Sequence, residues 1–303
     1  MSALSIPIVA NLAARMLNKT VRTRPAVSLR FNEIPSATEQ LTVGTRHGPV
    51  RVTVYRPPGE VSGRGVYLNF HGGGFVLGNY EQDDPWCRYL AANALVTVLN
   101  IDYALSPRHR FPVAIEQGYD VLRWTHYVQQ DWDTTVLCVG GQSAGGAIAA
   151  GAARMARDIG APRVDLQVLH YAPLDLVTPG EAKPAKGPRA MITPWLCELF
   201  NTAYIPDHRC RRLPLASPAW AENLHDVTDL APAVVITCEL DRLRDEGLRF
   251  AEALRTAGAL ALHYDVPDVD HAYNIHASHK QVTTEAVYRM VTERVQHAID
   301  SAP

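Results

Sequence analysis

A serine between two glycines, in GQSAGG at 141–146, directly follows the apolar run TTVLCVG and opens an Ala- and Gly-rich helical stretch. That is the setting of a G-x-S-x-G nucleophile elbow, a sharp strand-to-helix turn that holds its serine in a strained conformation beyond the sheet edge. The flanking chain passes close by, so Cβ atoms at 141 or 145 would collide with it, and glycine at both places meets that demand. A second glycine cluster, HGGGF at 71–75, follows another strand pattern at 65–70. Consecutive glycines let backbone N–H groups approach an acyl carbon, and a tetrahedral oxyanion needs two or three such donors. Residue frequencies alone give roughly 0.04 G-x-S-x-G and roughly 0.004 HGGG matches per chain, so the pair, each after a strand, points to acyl transfer by Ser143.

A serine hydroxyl is a weak nucleophile at neutral pH, so a base must take its proton and a carboxylate must fix the tautomer of that base. The expected chain order is serine, acid, histidine. CELDRLRDEG offers Glu239, Asp241, Asp245 and Glu246. Glu239 still belongs to a strand, while Asp245 and Glu246 open the next helix, where capping and the helix dipole account for them. Asp241, in the loop just past the strand, is the better acid. Among His263, His271, His276, His279 and His297, only His271, in DVDHAYN after strand 260–266, sits in a loop that reaches the serine end of a sheet. The spacing of His271, His276 and His279 gives no defined ligand face and no H-E-x-x-H occurs, so neither a metal nor another cofactor is expected.

Positioning these residues requires a sheet. Strand patterns fall at 41–45, 50–56, 65–70, 96–101, 135–140, 164–170, 233–239 and 260–266. The later ones are short, mostly apolar and separated by helical periodicity in FPVAIEQGYDVLRWTHYVQQ, AGGAIAAGAARMARD, RDEGLRFAEALRTAG and SHKQVTTEAVYRMVTERVQHA. That alternation predicts an α/β fold with a mainly parallel eight-stranded sheet covered by helices on both faces, the first two strands pairing antiparallel. Residues 174–222 interrupt it and read as an inserted subdomain, which together with 1–40 would form a helical cap over one end of the sheet.

With 303 residues, 47% of them apolar, the chain has core enough to fold without disulfides. The 29 Lys and Arg against 31 Asp and Glu give no global field for phosphate backbones, so nucleic acid is not an expected partner. Five scattered cysteines without a C-x-x-C pair read as reduced thiols, a Cys197–Cys210 bridge being the one alternative. The N-terminal MSALSIPIVANLAARMLNK lacks the charge order of a signal peptide and reads as an amphipathic helix. No segment reaches the ~18 apolar residues needed to span a bilayer, so integral membrane contact is not expected and a cytoplasmic location is.

HGGGF, DYALSPRHRFPVAIEQGYDVLRW, GQSAGG, SPAWAENL, CELDRLRDEG and DVDHAYN together resemble the hormone-sensitive-lipase-like branch of the α/β-hydrolases, over about residues 64–175 and 213–290. The resemblance implies the α/β-hydrolase fold with a helical cap and a triad of Ser143, Asp241 and His271. It also implies an oxyanion hole from the N–H groups of Gly73, Gly74 and Ala144. It divides the chain into a cap segment at 1–40, a catalytic domain at 41–173 and 223–303, and a cap insertion at 174–222. The implied activity is a serine carboxylesterase acting through an acyl-enzyme on small ester substrates with short- to medium-chain acyl groups; family members often form homodimers through a sheet edge. The alternatives are a non-catalytic small-molecule receptor on the same fold, or an amidase or lactonase using the same triad. Pro194, Trp195, Leu196 and Phe200 either line a substrate pocket or pack within the cap.

Three departures from the family pattern stand out. Gln142 replaces the usual carboxylate before the nucleophile, and YALSPR replaces YRLAPE, so Ala104 stands for a base and Arg108 for an acid. Asp270 and Ala272 flank His271 where an apolar residue and glycine are common. A carboxylate at 270 either favours the charged form of the base or simply faces water.

Overall fold

The apolar strand runs close into one eight-stranded sheet, ordered β1-β2-β4-β3-β5-β6-β7-β8 in the computed structural model, which describes residues 3–35, 37–59, 64–128, 131–187 and 190–302. β1 (Ala37–Thr45) and β2 (Gly48–Arg56) pair antiparallel, and β2 pairs antiparallel with β4 (Thr97–Asp102). The remaining neighbours, β3 (Val66–Phe70), β5 (Leu137–Gln142), β6 (Leu166–His170), β7 (Ala233–Cys238) and β8 (Leu260–Val266), are parallel, with β4 joined to β3. Every strand expected from the sequence forms, with ends displaced by a few residues; β1 starts at Ala37, inside the segment expected as cap.

The parallel strands are apolar throughout because both faces are buried. Along β3, Val66, Leu68 and Phe70 enter one core with Ile148 and Phe250, while Tyr67 between them enters the other with Trp86 and Val291. The first core is closed by α3 (Val113–Tyr127), α4 (Ala144–Ile159) and α7 (Arg244–Thr256), and the second by α2 (Asp84–Ala94) and α9 (Gln281–Asp300). α2 lies where the periodicity read above assigns no helix. Pro85 starts it and Trp86, Cys87, Leu90, Ala91 and Ala94 bury one face. Met1 and Ser2 of the N-terminal pattern, and Gln129 and Gln130 at the end of the α3 pattern, lie outside the described residues.

At the carboxyl ends of the strands lie α1 (Pro7–Thr20), α5 (Pro194–Tyr204) and the short α6 (His208–Arg211) and α8 (Tyr273–His276). Ala14, Val76, Leu199 and Ala203 form a small core of their own that joins α1, α5 and the loop after β3. The chain leaves β3 toward β4 on one side and returns to β5 on the other. The loops after β3 and β5 therefore part at a topological switch point, where open α/β sheets leave a crevice. All five cysteines are free thiols, so no Cys197–Cys210 bridge forms. No described helix is long and apolar enough to cross a membrane.

Candidate active site

Ser143 sits at the crevice between β5 and α4 with φ 51° and ψ −124°, backbone angles that side-chain-bearing residues rarely adopt. The turn is possible because residues 141, 145 and 146 have no side chains. A Cβ at Gly145 would lie 1.8 Å from the Phe70 carbonyl oxygen, one at Gly141 2.3 Å from the same atom, and one at Gly146 2.8 Å from the Ala172 Cβ. Close passage of β3 thus dictates the glycines, as the sequence pattern requires.

Asp241 follows β7 by three residues, and its Oδ1 accepts the Leu243 N–H at 3.0 Å. Its Oδ2 lies 2.8 Å from His271 Nδ1, and His271 Nε2 lies 2.9 Å from Ser143 Oγ. Both Asp241 and His271 are buried, whereas the Ser143 hydroxyl side is partly open. An ionised carboxylate can only accept, so Asp241 sets the imidazole proton on Nδ1 and leaves the Nε2 lone pair for the serine hydroxyl. The loops carrying acid and histidine are themselves tied, since Glu239 N–H donates to Val266 C=O at 3.0 Å and Leu240 N–H to Val269 C=O at 3.0 Å.

Gly73 (φ 131°) and Gly74 (φ 59°) lie in the loop after β3, folded back by Val76 and Leu77 N–H bonds to the Gly73 carbonyl. Among the described residues neither glycine N–H donates to a protein acceptor, and the Ala144 N–H is the first of α4, one of those a helix leaves unpaired. The preceding His71 is fully buried and stacked on Tyr103 at 4.3 Å, and its Nδ1 bonds the Gly72 carbonyl. Burial lowers its pKa, so it stays a neutral wedge.

These groups open on a cavity of about 430 Å³, a size suited to a small organic ligand. Its walls include Leu17 from α1, Val21 just past it, and Ile192, Trp195, Leu196 and Phe200 from the segment between β6 and β7; Pro194 is not among them. The Phe200 ring fits against Gly74 so tightly that a Cβ there would meet it at 2.4 Å.

The geometry of the chain finds its counterpart among known proteins. Residues 67–275 match a family described by its alpha/beta hydrolase fold. The chain is 35% identical to the esterase LipI of Mycobacterium tuberculosis over 80% of this chain and 76% of that one, and 31% identical to the carboxylesterase NlhH of the same organism over 86% and 81%. It is also 30% identical to the hyperthermophilic esterase of the archaeon Pyrobaculum calidifontis, whose solved structure superposes with a TM-score of 0.78 over 98% of this chain and 94% of that one. The chain belongs to the hormone-sensitive-lipase-like carboxylic ester hydrolases of the α/β-hydrolase superfamily.

The departures of this esterase from the family pattern have structural partners that its sequence did not reveal. Gln142 is buried, and its Oε1 accepts the Tyr171 hydroxyl at 2.5 Å and the Asn274 amide at 2.6 Å. Asp270 is not simply in water. One of its oxygens accepts the His271 N–H and the other the Met191 N–H, both at 2.7 Å, which ties the segment between β6 and β7 to the histidine loop. Ala272 has φ 55°, the left-handed region that explains why glycine suits this position. Ala104 lends its N–H to Gln117, and Arg108 is exposed. Glu246 does more than open a helix. It is buried against the Lys183 ammonium and accepts the Leu174 N–H at 2.7 Å.

Two further histidines stand near the site. Burial, with His271 nearby, pushes His170 down to about 3, and the same causes lower His276. Both are uncharged at neutral pH, so neither places a positive charge against the His271 ring.

Proposed function

We propose that the protein is a serine carboxylesterase for short- to medium-chain acyl esters, with Ser143 as nucleophile, His271 as general base and Asp241 as its orienting acid. The observation that carries this reading is the unbroken chain Asp241–His271–Ser143, with contacts of 2.8 and 2.9 Å, opening on a largely apolar cavity. The ester carbonyl oxygen would lie toward the N–H groups of Gly73, Gly74 and Ala144. Ser143 Oγ attacks the carbonyl carbon as His271 Nε2 takes its proton. The tetrahedral intermediate collapses, and His271 returns that proton to the departing alkoxide. Water, deprotonated by the same imidazole, then releases the acid from Ser143. Each oxyanion donor contributes about 3 kcal/mol to the transition state.

The cap is proposed to comprise residues 1–40, save 37–40 which belong to β1, and 174–222, whose α1 and α5 wall the cavity. A volume near the lower end of the range for small-ligand sites favours short and medium acyl chains over long ones. Hydrolysis of p-nitrophenyl esters from acetate to palmitate tests this, with an optimum below decanoate expected. Ser143→Ala should lower kcat/KM by a factor on the order of 10⁴ to 10⁶ and abolish labelling by an organophosphonate. Parent-like rates in that variant would refute the assignment of the nucleophile.

A further inference from the structure

Helix α1 is turned the wrong way round for an ordinary surface helix. Its inward face carries the small residues Ala10 and Ala14, both fully buried, and the half-buried Leu17, while its other large apolar residues point out. Ile8 is 72% exposed, Leu12 58% and Met16 67%, with Val9 beside them. At 3.6 residues per turn, positions 8, 12 and 16 form one line along the helix, and Arg15 and Lys19 fall within about 60° of it. Solvent-facing helix surfaces are normally polar, and a continuous exposed apolar line marks a contact surface.

Charge says what kind of contact. Residues 3–32 hold five of the chain's 29 Lys and Arg, namely Arg15, Lys19, Arg22, Arg24 and Arg30, and none of its 31 Asp and Glu. The hydrogen bonds of Arg22 and Arg30 go to backbone carbonyls, and among the described residues neither has a carboxylate partner. A two-fold contact between copies would set this cationic stretch against itself, which disfavours a second copy as the occupant. An anionic lipid surface matches both features, taking the apolar line among its acyl chains and the cations among its head groups.

We propose that the outer face of α1 docks this protein peripherally on anionic lipid surfaces, with Ile8, Leu12 and Met16 inserted and Arg15 and Lys19 at the phosphate level. The helix borders the cavity through Leu17, and Val21 and Arg22 just past its end do so too, so docking brings the cavity mouth to the source of acyl esters.

The test is co-sedimentation of the full chain with phosphatidylcholine vesicles, with and without phosphatidylglycerol, at low and high salt. The parent should partition onto the anionic vesicles and be released by salt. Arg15→Gln/Lys19→Gln should weaken partitioning roughly 30-fold. Leu12→Ser/Met16→Ser should weaken it at least as much, and both variants should keep the parent rate on a water-soluble short ester. The proposal is overturned if the parent ignores phosphatidylglycerol, or if both double variants bind as the parent does. It is equally overturned if light scattering shows a parent dimer that Leu12→Ser/Met16→Ser dissolves, which would give the face to a second copy.

Discussion

Replacing Lys183 by methionine isolates a buried charge at the base of the insertion. The Lys183 ammonium, 6% exposed, bonds the Asp175 carbonyl at 2.6 Å and the Glu246 carboxylate, which is 2% exposed. Burial works against the ammonium, but Glu246 more than offsets it and holds the lysine above its ordinary pKa. Burial likewise keeps the Glu246 carboxyl above its ordinary value despite the pull of Lys183. Removing one partner of such a pair costs about 3–5 kcal/mol, because the remaining charge is left uncompensated. At about 2.1 cal/mol/K per residue, a chain of 303 residues loses roughly 5–8 °C of Tm from that cost. The loss must depend on pH. With its folded pKa raised, Glu246 favours folding while it carries its proton, and that contribution disappears as pH rises through the folded value. Without Lys183 the carboxyl is raised further, so the variant's deficit should be small at pH 5 and full at pH 8. Adding Glu246→Gln, which keeps an acceptor for the Leu174 N–H, should recover most of it. Thermal unfolding of parent, single and double variants at both pH values measures all three quantities. A deficit of the same size at pH 5 and pH 8 would show that lost packing, not stranded charge, is responsible.

Asp83 offers a second titration. It is fully buried, its Oδ2 accepts the Asn69 amide at 3.0 Å, its Oδ1 has no hydrogen-bond partner among the described residues, and burial pushes its pKa up to about 7. The protonated form therefore favours folding below the ordinary carboxylate range, and up to about 4 kcal/mol is lost as pH rises through 7. Asp83→Asn should flatten the fall in Tm between pH 5 and pH 8; an unchanged fall would refute the assignment. Gly145→Ala should force α4 away from β3, since the new Cβ would start 1.8 Å from the Phe70 oxygen. A displacement of about 1 Å at Ser143 should cost about 100-fold in kcat/KM, and parent-like kinetics would contradict the steric reading of the elbow.

The strands, and the placing of Ser143, Asp241 and His271 just past strand ends, were legible because each depends on local pattern. A buried parallel strand must be apolar, and a serine on a strained turn must have glycine neighbours. The α2 helix carried a signal too, Pro85 followed by apolar residues at 86, 87, 90, 91 and 94, but its 11 residues give only about three turns over which to read the period. Lys183 and Glu246 were illegible as a pair. Sixty-three residues separate them, and only the path of the insertion decides whether two such side chains meet or reach water. Phe200 against Gly74 has the same character, because the glycine looked necessary for backbone reasons alone. The outward apolar line of α1 was visible as amphipathicity, yet periodicity gives a stripe and not the direction it faces.

Gln142 shows how a departure from a family motif can be required by its surroundings. On one side its carbonyl oxygen accepts from Tyr171 and from Asn274, three residues past His271, so it joins the strand that ends at the nucleophile to the short helix that follows the histidine. On the other side lies Asp83, whose carboxyl the neighbouring Asn69, Gln82 and Gln142 amides pull downward against burial. An amide accepts on the first side and adds no second charge on the other. A carboxylate at 142 would keep the acceptor and set a second acid beside a buried one, so the two would have to share a proton at neutral pH. The order at the serine then would depend on pH through a pair behind it. With glutamine in place, residue 142 brings no charge of its own to the joint, and Asp83 is the carboxyl beside it that titrates.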